Sequence, residues 1–112
     1  MVTIEINIEE NIYEISVSGE IDASSSIQLD NELETAFNSG EKKLLINLSG
    51  LQYISSAGLG VFIARLEEMQ EKNIQLVFFG LQENVKHVFT LLGLDELLTI
   101  VVSKTEAIAS FK

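Results

Sequence analysis

Apolar and polar residues alternate strictly at the start of the chain. In VTIEINIE, residues 2–9, every second side chain is valine or isoleucine and the side chains between them are polar. This period of two is typical of a half-buried β-strand. The alternation returns at Tyr13, Ile15 and Val17 after EENI, a segment that can turn the chain. The pattern therefore predicts an N-terminal β-hairpin whose second strand ends in GEID, Gly19 to Asp22.

Helix-like and strand-like patterns follow one another along the rest of the chain. Two nearly continuous apolar runs, KKLLINL and IQLVFF, are typical of strands covered on both faces, and LLTIVV predicts a last short strand. Ser24 to Ser26 offer caps for a first helix, Gly40 and Gly93 suit helix ends, and Lys104 to Phe111 predict a short terminal helix. Apolar residues recur at helical spacing in three segments: Ile27, Leu33, Ala36 and Phe37; Leu59, Phe62, Ile63, Leu66 and Met69; and Val85, Val88, Phe89 and Leu92.

This order of elements predicts a single α/β domain that spans residues 1–112. Helices that alternate with strands imply right-handed crossovers and parallel strand pairing. We expect a mostly parallel mixed sheet of about five strands, with the N-terminal hairpin at one side, packed with about four helices. The 46% hydrophobic and 21% charged content is that of a soluble globular protein with one core.

The net charge restricts the classes of partner. With 17 acidic and 7 basic residues the formal charge is −10, which argues against nucleic acid, because phosphate backbones are bound mainly through Lys and Arg. Anionic membrane surfaces are disfavoured for the same reason, and no apolar run reaches the ~18 residues that cross a bilayer, so we expect no direct membrane insertion. A basic protein partner would be attracted, and the charge also serves solubility.

The N-terminus lacks the pattern of a secretory signal and the chain has no cysteine, which favours the cytoplasm.

Residues for catalysis are scarce in this sequence. His87 is the one histidine, and the motif G-x-S-x-G is absent. A serine nucleophile needs a base and a group that orients the base, so a small enzyme with a Ser56–His87 dyad is the weakest functional alternative, and we expect the chain not to be an enzyme.

Acidic residues lack metal-ligand spacing, which predicts no metal. Gly58 and Gly60 lack the Lys-Ser/Thr of a phosphate loop and suit close packing of a helix on a strand, so we expect no cofactor.

A pair of serines, Ser55 and Ser56, stands between a predicted strand and a predicted helix in LQYISSAGLGVF, residues 51–62. A serine in this place commonly caps the helix and stabilises it by ~1 kcal/mol. The junction also lies at the carboxyl end of a central parallel strand, which is the edge where open α/β sheets bind ligands and partners. The pattern alone leaves open whether the hydroxyls only cap the helix or also serve function.

The segment INLSGLQYISSAGLGVFI, residues 46–63, resembles the signature of the anti-sigma factor antagonist (STAS) family. Members of the family commonly have a buried strand followed by the motif D-L-S, an apolar loop, the motif D-S-S/A/T-G-L and a helix. In addition, SGEID, residues 18–22, resembles the family's motif G-E/D-L/I-D. The resemblance spans essentially the whole chain, implies a STAS-like fold and places the family's phosphorylatable serine on Ser56. Two residues depart from the pattern, since Asn47 and Ser55 each stand where the family usually has Asp.

The resemblance implies a phospho-switched protein-binding module of transcription regulation, without a cofactor. Unphosphorylated, such a domain binds an anti-sigma factor, usually a serine kinase of the histidine-kinase-like ATPase fold. Phosphorylation at Ser56, or alternatively at Ser55, releases it, and a PP2C-type phosphatase reverses the step. The residues expected to frame the docking surface are Asp22, Ser24, Ser25, Tyr53, Ile54, Ser55, Gly58 and Leu59.

Two of these residues have structural interpretations of equal standing. Asp22 can cap the following helix instead of contacting a partner, and Tyr53 fits the edge of a core. The alternative function is that of a STAS scaffold or accessory subunit of a transporter or signalling complex, with no phosphorylation.

Overall fold

The computed structural model describes residues 2–112, in which five strands and six helical segments follow one another. The strands are β1 (Val2–Glu9), β2 (Ile12–Ile21), β3 (Lys43–Ile54), β4 (Gln75–Phe79) and β5 (Thr99–Val101). The helices are α1 (Ser25–Phe37), α2 (Ser56–Ala64), α3 (Leu66–Glu71), α4 (Glu83–Leu91), α5 (Leu94–Leu97) and α6 (Lys104–Ser110). Within residues 2–112, no helix has both the length and the apolar character needed to span a bilayer.

The five strands form one sheet in the order β1-β2-β3-β4-β5. β1 runs antiparallel to β2 and all other neighbours are parallel, which confirms the predicted α/β fold with a hairpin at one side. Glu10 and Asn11 form the loop of the hairpin, with φ angles of 51° and 68°. Two consecutive left-handed residues are typical of a type I′ turn, whose twist matches that of paired strands.

The main core fills the side of the sheet on which α1, α2 and α4 pack. Phe62 of α2, Phe78 of β4 and Phe89 of α4 meet there, with ring centroids between 5.0 and 6.4 Å apart. A smaller apolar cluster on the opposite side of the sheet is formed by Leu45, Val77, Phe79 and, from α6, Ala107. The helical layer thus holds the start of α2 against the carboxyl ends of the central strands.

Strand β3 is longer than the apolar run KKLLINL predicts. It continues through residues 51–54, which correspond to the apolar loop of the family signature. Gly50 allows this extension, because a β-carbon there would lie 2.5 Å from the Ser18 hydroxyl oxygen on the neighbouring β2. As a result Ile54 pairs with Ile21, and the two central strands end side by side.

Helices α2 and α3 replace the single helix that the apolar spacing predicts after the serine pair. The break lies at Arg65, whose N–H donates to the carbonyl oxygen of Phe62, three residues earlier. The Arg65 guanidinium binds the carboxylates of Asp30 on α1 and Glu68 on α3, each at 2.9 Å. The break therefore lets one arginine connect three helices.

Three apolar residues of the helical spacing are exposed and do not belong to the core: Ile27, Ile63 and Leu92. Ile27 of α1 is 65% exposed. The residues that α1 buries are Ser26, Leu29, Leu33, Ala36 and Phe37. They recur every three or four residues and so lie on one face, whereas Ile27 is rotated about 100° away from Ser26. The helix thus exposes an isoleucine in its first turn.

Candidate functional site at the start of helix α2

Ser55 is the N-cap of helix α2, and its N–H group, its carbonyl oxygen and its Oγ each make a hydrogen bond. Its Oγ accepts a hydrogen bond from the N–H of Gly58 at 3.2 Å, and its carbonyl accepts from Leu59 at 3.1 Å. Its own N–H donates to the carbonyl of Ile21 at 2.8 Å. The backbone of Ser55 has the extended conformation that an N-cap requires. Ser55 is therefore fixed to both the helix and the end of β2.

Ser56, the next residue, is in a different environment. It is the first residue of α2, and its side chain is exposed. Across residues 2–112 no hydrogen bond to its hydroxyl is found. The first turn of a helix also carries N–H groups without intrahelical partners, which favour anions nearby. Of the two serines, Ser56 has the more exposed side chain, and its hydroxyl is not used to cap the helix.

Asp22 caps the turn that begins helix α1. Its Oδ1 accepts hydrogen bonds from the N–H of Ser25 at 2.9 Å, from the Ser24 hydroxyl at 2.8 Å and from the Ser25 hydroxyl at 3.0 Å. These donors, led by the Ser25 N–H, lower the pKa of the carboxyl to about 2. The capping interpretation of Asp22 is thus confirmed, and its carboxylate remains charged and exposed at neutral pH.

The two serine-containing loops lie side by side at the carboxyl ends of β2 and β3. The hydrogen bond from Ser55 to Ile21 joins the loop after β3 to the loop after β2. Tyr53, opposite Glu20 in the register, is 51% exposed at the same end of these strands. Of the predicted docking residues, those with accessible side chains are Asp22, Ser24, Ser25, Tyr53 and Ser55.

Three residues predicted for the docking surface are buried. Ile54 is the last residue of β3, Gly58 and Leu59 are on the buried side of α2, and all three lie at the contact between the helix and the sheet. A β-carbon on Gly58 would come within 2.8 Å of side-chain carbons of both Ile21 and Ile54. The helix therefore packs directly on the strand ends, and these residues support the surface without forming it. The prediction of close packing holds for Gly58 but not for Gly60, where an added β-carbon would meet no atom of another element within 4 Å.

An exposed apolar face on α2 escaped the sequence interpretation. Ile63, which belongs to the predicted apolar helical spacing, is exposed, and it follows Ser56 by seven residues, which places both on the same side of the helix. The small residues exposed around them are Ala57, Gly60 and Ala64. The available signal was that α2 is apolar on all sides, although a surface helix needs only one apolar face.

The structure offers no support for chemistry performed by Ser56. His87 is exposed on α4, and no hydrogen bond in the described part of the chain joins it to Ser56. The neighbouring α4 is tied to β3 through Asn84, whose amide donates to the carbonyl of Gln52 at 2.7 Å. In residues 2–112, no three carboxylate or imidazole groups come together as a metal site would require.

Asn47, one of the two departures from the family pattern, performs a structural task. Its Oδ1 accepts hydrogen bonds from the N–H of Ser49 at 3.0 Å and from the Ser49 hydroxyl at 2.7 Å. A carboxylate oxygen could accept the same two bonds, so Asn in place of Asp preserves this turn. The Ser49 carbonyl in turn accepts from Gln82 before α4.

Comparison with known proteins connects this geometry to a family. A family model described as the STAS domain matches residues 3–107. The anti-sigma-B factor antagonist of Staphylococcus aureus is 27% identical over 97 residues, which cover 87% of this chain and 90% of that protein. A solved anti-sigma factor antagonist from Mycobacterium paratuberculosis has a TM-score of 0.90 at 21% identity, covering 98% of this chain and 93% of that one. The Bacillus cell fate determinant SpoIIAA, solved in its phosphorylated form, has a TM-score of 0.72 at 20% identity, covering 96% and 97%.

These matches agree with the resemblance seen in the sequence. The matched relatives are named as antagonists of other proteins, which is a binding activity, in agreement with the expectation that the chain is not an enzyme. The family model spans the hairpin, the serine junction and the helices that follow it. The chain therefore belongs to the STAS domain family.

Proposed function

We propose that this chain is a phospho-switched anti-sigma factor antagonist. Unphosphorylated, it binds an anti-sigma factor that is also a serine kinase of the histidine-kinase-like ATPase fold. The kinase phosphorylates Ser56, the complex separates, and a PP2C-type phosphatase restores the binding form in the cytoplasm. The observation that carries the proposal is the contrast between the two serines: Ser55 is engaged as a helix cap, while the Ser56 hydroxyl is exposed.

The electrostatics of the site suit such a switch. A phosphate group adds a charge of about −1.5 to −2 at neutral pH. Within the domain this charge is tolerated, because the amide groups and dipole at the start of a helix favour anions. Against a partner it is unfavourable, because Ser56 lies on the same side of α2 as the exposed apolar side chain of Ile63, and docking would desolvate the phosphate. Release therefore needs no refolding of the domain.

Two similarities add support. The relative from Staphylococcus aureus is named an anti-sigma-B factor antagonist. SpoIIAA, which shares the fold, has been solved with its phosphate in place.

A kinase assay tests the proposal. The chain is incubated with ATP, Mg²⁺ and each candidate anti-sigma factor kinase of its organism, and the added phosphate is located by mass spectrometry. We expect one phosphate on Ser56, no incorporation in Ser56→Ala, and normal incorporation in Ser55→Asp, which keeps a helix cap but cannot accept phosphate. Phosphate on Ser55 in place of Ser56 would contradict the assignment.

Binding measurements test the release step. Isothermal titration with the kinase should give at least a tenfold weaker complex for the phosphorylated chain and for Ser56→Asp than for the unmodified chain. Thr105→Asp, which adds the same charge to an exposed position of α6 on the opposite side of the sheet, is the matched control and should have a smaller effect. Unchanged binding by Ser56→Asp and by the phosphorylated chain would favour a constitutive STAS scaffold or accessory subunit instead.

A further inference from the structure

The sheet has two edges, and they are protected very differently. At one edge lies β5, which is three residues long. Short edge strands are a common protection against unwanted pairing. At the other edge lies β1, with eight residues that pair only with β2 in the described chain. Its outer backbone groups are therefore open along most of the sheet.

Strand β1 lacks most of the features that block edge pairing. Its ladder with β2 has no register shift, so no bulge twists it away. Neither proline nor lysine occurs in it, although both are common on protected edges. Every residue of β1 is partly or fully exposed. The remaining protection consists of two carboxylates, Glu5 and Glu9.

The two faces of β1 differ in chemistry. On the side of the main core, Ile6 and Ile8 are 39% and 53% exposed, although they lie opposite the buried Ile15 and Tyr13. The other face alternates with it and presents Thr3, Glu5, Asn7 and Glu9. An added strand would therefore cover apolar side chains on one face and meet carboxylates on the other.

The carboxylates determine which strand can pair here. A second copy of the chain is disfavoured as the occupant, because each copy has a net charge of −10. Antiparallel self-pairing of β1 centred on residue 5 or residue 7 would in addition place Glu5 directly opposite Glu5 or Glu9. Lys104 lines a groove together with Glu9 and Glu10. Its ammonium group is bound to the carboxylate of Glu14 at 2.7 Å, so its positive charge is already paired and does not neutralise Glu5 or Glu9. The same charges attract an incoming strand that carries lysine or arginine.

We propose that the free edge of β1 is a docking site for an extended segment of a partner protein in which basic and apolar residues alternate. The segment adds a sixth strand to the sheet, with its backbone bonded to β1. Its apolar side chains cover Ile6 and Ile8, and its cations face Glu5 and Glu9. The site lies away from Ser56, at the other side of β2, so the proposal goes beyond the phospho-switch and does not depend on it.

A designed peptide tests this site. The probe is a nine-residue acetylated peptide in which lysine and valine alternate, titrated into the isotopically labelled chain and followed by amide NMR spectra. We expect shifts and slowed hydrogen exchange confined to β1, unchanged in Ser56→Asp. Two control peptides are a scrambled one of the same composition and one N-methylated at alternate residues, and both should bind at least tenfold more weakly.

Matched variants of the chain separate strand pairing from simple charge attraction. Glu5→Lys combined with Glu9→Lys should abolish binding, whereas Glu67→Lys with Glu71→Lys, an equal charge change on the exposed side of α3, should weaken it no more than twofold at 150 mM salt. Equal binding of the scrambled or N-methylated peptide, or shifts elsewhere than β1, would overturn the proposal. So would a peptide-free dimer in sedimentation that pairs through β1, because the occupant would then be a second copy.

Discussion

At the scale of single residues, two glycines of α2 show how the same residue type serves different purposes. Gly58 lies against Ile21 and Ile54, where a β-carbon would have no room. Gly60 lies two positions later, exposed, with open space around its Cα. The sequence predicted close packing for both, because spacing alone does not tell which side of a helix faces the sheet.

We expect opposite effects when the two glycines are replaced. Gly58→Ala should destabilise the fold by about 1–3 kcal/mol, because the added methyl group overpacks the contact between helix and strands. Gly60→Ala should stabilise it by about 0.5–1 kcal/mol, because alanine loses less conformational freedom in a helix. Urea denaturation of both variants measures the change in the free energy of unfolding. A destabilised Gly60→Ala would mean that the space beside Gly60 is occupied in solution.

At the scale of elements, the alternation of helices and strands was predictable because it depends on the local period of apolar residues. The hairpin, the two buried central strands and the helix after the serine pair all follow from it. The extension of β3 to Ile54 was not predictable, since it depends on the close approach of Gly50 to Ser18 on another strand. The exposure of Ile27 likewise depends on how α1 is rotated against the sheet.

The N-cap of α2 gives the prediction at this scale. Ser55→Ala should lower the free energy of unfolding by about 1 kcal/mol, because the N–H of Gly58 loses its acceptor. Ser55→Asp should restore most of this loss, and Ser56→Ala should change stability by no more than about 0.5 kcal/mol. Chemical denaturation at neutral pH measures all three variants. Equal losses for Ser55→Ala and Ser56→Ala would mean that both hydroxyls cap the helix.

At the scale of the whole molecule, the dominant feature is an excess of ten negative charges on 112 residues. Four ion pairs occur within residues 2–112, and most of their groups are partly exposed. Such pairs contribute little to stability, about 0–1 kcal/mol each, so repulsion among the unpaired carboxylates is the larger electrostatic effect. The composition predicted this charge, but only the fold shows that two of the carboxylates, those of Glu5 and Glu9, lie on the edge strand β1.

Stability should therefore rise with ionic strength. Raising NaCl from 10 to about 300 mM shortens the screening length several-fold and should raise the thermal midpoint by a few degrees. The double variant Glu34→Gln with Glu71→Gln removes two exposed carboxylates that make no ion pair in the described structure, and it should respond less to salt. A midpoint that falls with salt in the unmodified chain would show that its ion pairs outweigh the repulsion.

The placement of the two tyrosines has an optical consequence. The chain contains no tryptophan, so its near-ultraviolet emission comes almost entirely from Tyr13 and Tyr53. Tyr13 is enclosed in the core at 4% exposure, while Tyr53 is half-exposed near the carboxyl end of β3, close in sequence to Ser56. A dissolved quencher such as iodide will thus act on one phenol and spare the other. The molecule carries its own fluorescent label for events at that end of the strand, together with a built-in reference for the integrity of its interior.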